Sequence, residues 1–326
     1  RQSVRAELAT LSDQHTAALL WDLLKCYDTA DHSLLWREAR RFDFPIVILT
    51  LSLSSYRWSR RLDYNGCFSR PIFPTASIIA GSTPATYELK CLLLDIMDNQ
   101  CKFHPEINLE LYVDDIGQAT VADSALVCEN VLYTAAVDLA EALSFKSLQI
   151  SLDKGMTLAN SEKLASSIKR RLGNLGGRRA AAVRNLGIDY SQGRGIKIAR
   201  RAGVTKMRWR TAAIRARKLR MVRQACKRTA RRVIHCGVMP SIGFSSPCIG
   251  LTKSESAAAR RVVGQSYGIF GKGRSANLGF LVVGEKVDPG LKFGFAAVRM
   301  LLDEIWSSCV QADAQKAFVI PYPQLH

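Results

Sequence analysis

No acidic residue stands between Asp189 and Glu255, and this gap divides the chain into two stretches of different physical character. Basic residues crowd into it, Arg200, Arg201, Arg208, Arg210, Arg215 and Lys218 among them, in a largely helical pattern that runs on to Arg232. A run of arginines is often a solvated face, but the lack of any compensating acid argues for a bound polyanion. Over the whole chain 46 Lys and Arg against 28 Asp and Glu leave a formal charge of +18, which favours DNA or RNA through counterion release. An acidic membrane surface would answer the same charge.

The rest of the composition bounds the class. With 326 residues, 48% of them hydrophobic, the chain can bury a sizeable core and is expected to divide into two or three domains. Nine cysteines are scattered singly, without the close pairs of a zinc site or the density of a disulfide scaffold, so they read as reduced intracellular thiols. No apolar run has membrane-spanning length and no signal pattern opens the chain. A soluble protein of the nucleus or cytoplasm is the expectation, and Arg1 in place of Met suggests a piece of a longer one.

Ahead of Asp189 strand and helix patterns alternate. The apolar run Ala17 to Leu24 reads as a buried strand with Asp22 near its exit, and Ser33 to Phe42 has helical periodicity. Asp63-Tyr64-Asn65-Gly66 is a hairpin signal between Trp58 to Leu62 and Cys67 to Ile72, since Asn-Gly suits a tight turn. Gly81-Ser82-Thr83-Pro84 opens a helix expected over Ala85 to Asp98, with Ser or Thr as its cap. Leu109 to Val113 and the stretch from Ile116 read as a hairpin carrying Asp114 and Asp115 on its bend. A helix over Ser124 to Leu143 and strands at Leu148-Gln149-Ile150 and Asn185 to Tyr190 follow, then helices over Ser254 to Gly264 and Pro289 to Ile305.

Three carboxylates on two distant strands suggest a chemistry. Adding a nucleotide to a 3′ end uses two divalent cations, one activating the attacking hydroxyl and one steadying the triphosphate and leaving oxygen. Hard cations such as Mg²⁺ take carboxylate oxygens and keep coordination places for phosphate and water. A strand-borne Asp22 meeting Asp114 and Asp115 would supply that cluster. An isolated Asp-Asp pair is more often a solvated turn; here the preceding Leu111-Tyr112-Val113 has the pattern of a buried strand, which would fix both carboxylates in place.

With these blocks in view, the sequence resembles the reverse transcriptases of non-LTR, LINE-type retrotransposons from Trp21 onward. Trp21-Asp22-Leu23-Leu24-Lys25-Cys26-Tyr27-Asp28 is similar to motif A of that family, which implies metal ligation by Asp22 and the Leu23 carbonyl. Tyr27 falls where the family excludes a ribose 2′-hydroxyl, while periodicity reads it equally as a core aromatic. Ile79-Ala80-Gly81-Ser82-Thr83-Pro84 resembles motif B, implying close approach of template and incoming nucleotide at Gly81 and Ser82. The family's Gln before that glycine is Ala80 here.

Tyr112-Val113-Asp114-Asp115 is similar to motif C, with Asp114 the implied ligand, Asp115 a supporting one and Tyr112 beside the nucleotide or template. Leu148 to Lys154 resembles motif D, which makes Lys154 a candidate general acid near the pyrophosphate, or a neutraliser of charge there. Asn185-Leu186-Gly187-Ile188 resembles the primer-grip hairpin of motif E. The basic stretch would then be the thumb, with Arg208, Arg210, Arg215 and Lys218 meeting phosphates of the duplex. Trp209 could pack on a sugar or in the core.

The resemblance implies an α+β fold: a right-hand polymerase palm, an antiparallel sheet packed on helices, followed by a mainly helical basic thumb. The expected division is a palm with a remnant of fingers over 1–190, a thumb over 191–240, with the boundary near Gln192-Gly193-Arg194-Gly195, and a helical segment over 241–326. It implies RNA-directed DNA polymerase activity with two Mg²⁺ ions, Mn²⁺ as a substitute, and an RNA template, a DNA primer and dNTPs as partners, with no membrane. Most of the family's fingers would precede Asp22, which has only 21 residues before it. A non-catalytic nucleic-acid-binding relic is the alternative, and a hydrolase built on paired carboxylates a remoter one.

Overall fold

The apolar run that leads to Asp22 forms the middle strand of a sheet. The computed structural model describes residues 2–269 and 275–310, except for the side chains at 220–225, 227, 285, 304–305 and 307–310. The last part of the expected segment 241–326 lies outside the described residues. The architecture is α+β, and the chain forms two units: Arg1–Ala181 with Ser191–Gly195, and Ala182–Tyr190 with Ile196–His326. The hairpin read as the end of the first domain is thus counted with the second unit.

The first unit begins with α1 (Gln2–Leu11), β1 (His15–Asp22), α2 (Cys26–Thr29), α3 (His32–Arg41) and α4 (Ile46–Tyr56). A small hairpin, β2 (Asp63–Tyr64) and β3 (Cys67–Phe68), precedes α5 (Ala85–Phe103), β4 (Asn108–Tyr112), β5 (Asp115–Ala122) and α6 (Ala125–Phe145). Then come β6 (Met156–Ala159), α7 (Glu162–Leu172) and β7 (Arg178–Arg179). The sheet order is β4-β5-β1-β6-β7; the first four strands are mutually antiparallel and β7 is parallel to β6.

Ala17, Ala18 and Leu19 of β1 are fully buried. A strand with neighbours on both sides pairs all its amides, so such a run can be apolar throughout. One core joins Leu19, Trp21 and Ile116 to Leu89, Leu92 and Leu93 of α5 and to Leu132, Ala136 and Leu139 of α6. The recurrence of those helical positions at three and four residues is the stripe that faces a core. Asp31, Ser124 and Ser161 cap α3, α6 and α7, each side chain accepting from a backbone amide three residues on.

Several local expectations change. Leu148-Gln149-Ile150 makes a single bridge, Leu23 to Ile150, with Leu24 N–H donating to the Gln149 carbonyl and Ser151 N–H to that of Asp22. It does not lengthen into a strand because Lys25 (φ 47°) and Ser147 (φ 59°) turn both segments away. The edge pairing passes to β6, which the sequence reading missed. Asn185 to Tyr190 is a hairpin, β8 (Val183–Asn185) and β9 (Ile188–Tyr190), since Leu186 and Gly187 both take positive φ and reverse the chain. Helix α5 lacks the expected Ser or Thr cap, because its N-cap position falls on Pro84, whose side chain has no acceptor.

Gly177 shows how closely β6 and β7 are joined. At φ 57°, a Cβ placed there would lie 2.0 Å from the Gly155 carbonyl oxygen, a backbone atom with nowhere to go. Only a residue without a side chain allows this approach.

The second unit contains β8, β9, most of α8 (Gly195–Ala199), α9 (Val204–Ala225), α10 (Lys227–Val233), α11 (Met239–Gly243) and α12 (Ser246–Ile249). It continues through α13 (Lys253–Tyr267), α14 (Ala276–Val283), α15 (Pro289–Gly294) and α16 (Ala296–Val310). The helix expected over Pro289 to Ile305 is broken at Phe295, which closes α15. A second core runs from Ala212 and Ala216 of α9 through Ile234 and Ile242 to Val263, Phe280 and Phe293, so residues on both sides of position 240 share one interior. Among the described residues no helix is long and apolar enough to cross a membrane.

Candidate active site

The strand register brings together carboxylates far apart in sequence. Asp22, the last residue of β1, pairs directly with Asp115, the first of β5, and Asp115 pairs on its other side with Tyr112 of β4. Asp114 occupies the two-residue turn between β4 and β5, and its carbonyl accepts from Leu23 N–H at 3.2 Å. Only Asp114, not both aspartates, is therefore on the bend. Its neighbour Val113 has φ 61°, a left-handed conformation that costs a β-branched residue about 1–2 kcal/mol and is held here by the ladder on either side.

The electrostatics follow from that crowding. Burial, then the charges of Asp114 and Asp22, push the Asp115 carboxyl above its ordinary range, with Lys154 acting in the opposite sense. Lys154 Nζ donates to Asp22 Oδ2, and that bond together with the Asp22 charge raises the lysine. The ammonium is thereby kept as a counter-charge beside Asp22 and is a weaker acid than a free lysine.

Could this set hold divalent cations? Its donors are hard carboxylate oxygens crowded by like charge, which suits Mg²⁺. Yet the side chains as placed do not close a cage: among the described residues no three His, Cys, Asp or Glu groups stand together as a metal-holding set. The Asp22 carboxylate is turned to Lys154 instead. The donor chemistry suits a hard cation, but in this arrangement the Lys154 ammonium, not a third carboxylate, is the partner of Asp22.

Because Asp115 binds its proton more tightly folded than unfolded, its ionisation costs stability as pH rises above the ordinary value of 3.8, and the cost persists at neutral pH. Asp115→Asn is therefore expected to raise the melting temperature at neutral pH, with the gain disappearing once the pH falls below that ordinary value. Calorimetric melts across the acid range check this; a lower melting temperature at neutral pH would contradict the assigned strain.

Tyr27 lies on α2, half-buried against the main core, and its carbonyl accepts from Ile78 N–H at 2.6 Å. Burial pushes its phenol up, helped by Cys26 and Asp114. Tyr27 is thus a core-packed aromatic that also feels the acidic cluster. Gly81 has φ 91°, which a glycine adopts without strain, and Ser82 follows it.

The residues that fix Ser82 escaped the sequence reading. The Tyr56 hydroxyl lies 2.7 Å from Ser82 Oγ and donates to Glu88 Oε2 at 2.7 Å, so Ser82 is the donor to Tyr56. Burial first, with the Glu88 carboxylate adding to it, pushes the Tyr56 phenol up to about 12. The signal was available: Glu88 falls on the stripe of α5 that includes Ala85, Leu89, Leu92 and Ile96, an acid at a core position.

In the second unit, Leu186 and Gly187 form the turn of β8–β9. Arg208 does not extend into solvent; it is half-buried, its guanidinium 3.9 Å over the Phe244 ring and close enough to Gly187 that a Cβ there would meet it at 2.6 Å. It braces the turn. The buried Asp189 carboxylate accepts from Val204 and Thr205 N–H at 2.8 and 3.0 Å and so anchors the start of α9. Arg210, Arg215 and Lys218 are exposed, with no acidic partner among the described residues. Trp209 packs against the second core.

A comparison with protein-family models finds no match, and a comparison with curated proteins finds none either.

Proposed function

We propose that the first unit is the palm of a template-directed nucleotidyl transferase of the reverse-transcriptase type, with the second unit supplying a primer-grip hairpin and a basic thumb. The observation that carries this reading is the Asp22 to Asp115 pairing across β1 and β5, with Asp114 on the adjoining turn and Lys154 reaching Asp22. Four separately recognised sequence blocks contribute to the first unit, and three of them meet at one end of one sheet.

In this reading Asp22, Asp114 and, in support, Asp115 would hold two Mg²⁺ ions, with the Leu23 carbonyl as a further oxygen. When bound, those ions activate the primer hydroxyl and offset charge on the triphosphate. The chain's own groups do the rest. Gly81 and Ser82, fixed through Tyr56 and Glu88, offer a close approach to the nucleotide. Tyr27 limits the space beside the sugar, and Lys154, once released from Asp22, places a proton and a positive charge for the leaving pyrophosphate.

A second reading, a nucleic-acid-binding protein without catalysis, is favoured by one feature: the Asp22 and Lys154 pair already satisfies its charges without metal. Incorporation of labelled dTMP on oligo(dT) annealed to poly(rA), measured on the chain alone and with a polymerase fingers segment fused ahead of it, separates the two. Mg²⁺-dependent extension is expected. Salt-sensitive template binding with no extension in either form would reject the polymerase and leave the binder.

A further inference from the structure

The β2–β3 hairpin and its flanks take no part in the scheme above, yet they have the chemistry of a binding surface. Trp58, Tyr64, Phe68 and Phe73 are 71%, 79%, 67% and 70% exposed, a density of bare aromatic rings that burial would ordinarily remove. Arg57, Arg60, Arg61 and Arg70 lie among them, all exposed. None has an acidic partner among the described residues: Arg57 reaches His32 Nδ1 and Arg60 the Tyr56 carbonyl, both at 3.5 Å. The one acid of the segment, Asp63, is spent on the turn, accepting from Gly66 N–H at 3.0 Å.

The hairpin is well defined. Asn65 (φ 51°) and Gly66 (φ 83°) make the tight turn, Tyr64 pairs with Cys67 and Asp63 with Phe68, and Arg60 bridges Ile72 with hydrogen bonds in both directions. That register puts Phe68 on one face and Tyr64 on the other, and both faces are open to solvent. The rings are thus presented on an ordered backbone.

Charge and rings together select the partner. Arginines with no acidic partner call for an anion, and flat rings left in water call for flat apolar faces; unpaired bases on a phosphate chain supply both. A duplex offers the phosphates but keeps its bases stacked inside, so it would leave the rings without a partner. We infer that the hairpin at residues 57–73 is a binding arm for single-stranded nucleic acid, stacking on unpaired bases through Trp58, Tyr64, Phe68 and Phe73 and meeting phosphates through its arginines. The inference stands whether or not the acidic cluster catalyses nucleotide transfer.

The test uses the full chain, fluorescence anisotropy, a labelled oligo(dT) and a blunt duplex of the same length. The triple variant Trp58→Ala, Tyr64→Ala, Phe68→Ala is expected to lose at least about tenfold in affinity for the single strand and to change by less than about twofold on the duplex, which the basic second unit can still bind. Oligo(dT) should quench the tryptophan fluorescence of the wild type, and Trp58→Phe should bind as well with a smaller quench. These side chains are exposed, so an unchanged melting temperature confirms folding. Binding is measured without Mg²⁺ and dNTP and with the acidic cluster unaltered, which keeps this test apart from that of catalysis. Unchanged single-strand affinity in the triple variant, an equal loss on duplex, or a wild-type dimer that the variant dissolves without loss of oligo(dT) binding would each overturn the inference.

Discussion

On the proposed two-metal reading, Asp114→Asn is expected to lower Mg²⁺-dependent incorporation of dTMP by about 10³-fold or more, because loss of a metal ligand would remove several kcal/mol of transition-state stabilisation and about 1.4 kcal/mol corresponds to tenfold. The substitution is nearly isosteric on a half-buried turn, so it removes a charge without opening a void. The Asp114 charge raises the carboxyl of Asp115, and removing it relieves that repulsion. Activity should therefore collapse while the melting temperature holds or rises, the pattern of a site that carries strain for a task. Primer extension and calorimetry on the same preparation read both quantities. Wild-type extension by the variant would dispose of the two-metal reading, whereas a parallel loss of folding would make Asp114 a structural residue.

The second large effect concerns stability. Lys146, at the end of α6, is buried; its Nζ lies 3.0 Å from Glu38 Oε2 on α3 and donates to the Leu92 carbonyl on α5 at 3.2 Å. Burial pushes the Glu38 carboxyl up, but the hydrogen bond and charge of Lys146, with Arg37 adding to them, outweigh it and hold Glu38 below its ordinary range. Three helices thus meet on one ion pair. Lys146→Met should destabilise the first unit by about 3 kcal/mol, the lower end of the cost of stranding a buried charge, since Arg37 and Arg41 remain 3.2 and 3.7 Å from Glu38.

Pairing Lys146→Met with Glu38→Leu should recover most of that loss, because apolar groups of similar volume need no partner. The sign with pH is fixed: a depressed carboxyl contributes stability above its unfolded value, lost as pH falls through the folded one. The wild type should therefore lose stability on acidification, and the double variant should lose less. Denaturant melts of the four proteins give the coupling directly; additive effects of the two substitutions would show that the pair is not the tie it looks like.

How far the sequence carried these results differs from block to block. The strand to Asp22, the hairpin that carries Asp114 and the helix after Ser124 were legible because each is local: an apolar run, a two-residue reversal, a cap followed by helical periodicity. Leu148-Gln149-Ile150 was misread because its pattern suits a strand, while the turns at Lys25 and Ser147 leave it room for one bridge. Arg208 was read with the other arginines, and no local pattern distinguishes a guanidinium stacked on Phe244 from one in solvent. Glu88 could have been found, as an acid on an apolar stripe.

By itself the sequence determined the chemical inventory: three carboxylates and a lysine in separate blocks, a basic stretch without acids, and a hairpin signal at Asn65-Gly66. Only the tertiary structure decided which of these meet. It set Asp22 against Asp115, turned Lys154 onto Asp22, tied Ser82 to Glu88 through Tyr56, and left the rings of the β2–β3 hairpin bare. The reason is physical: propensity and periodicity act over a few residues, whereas strand register and side-chain partners separated by 26 to 132 positions are chosen by what the whole core can bury at once.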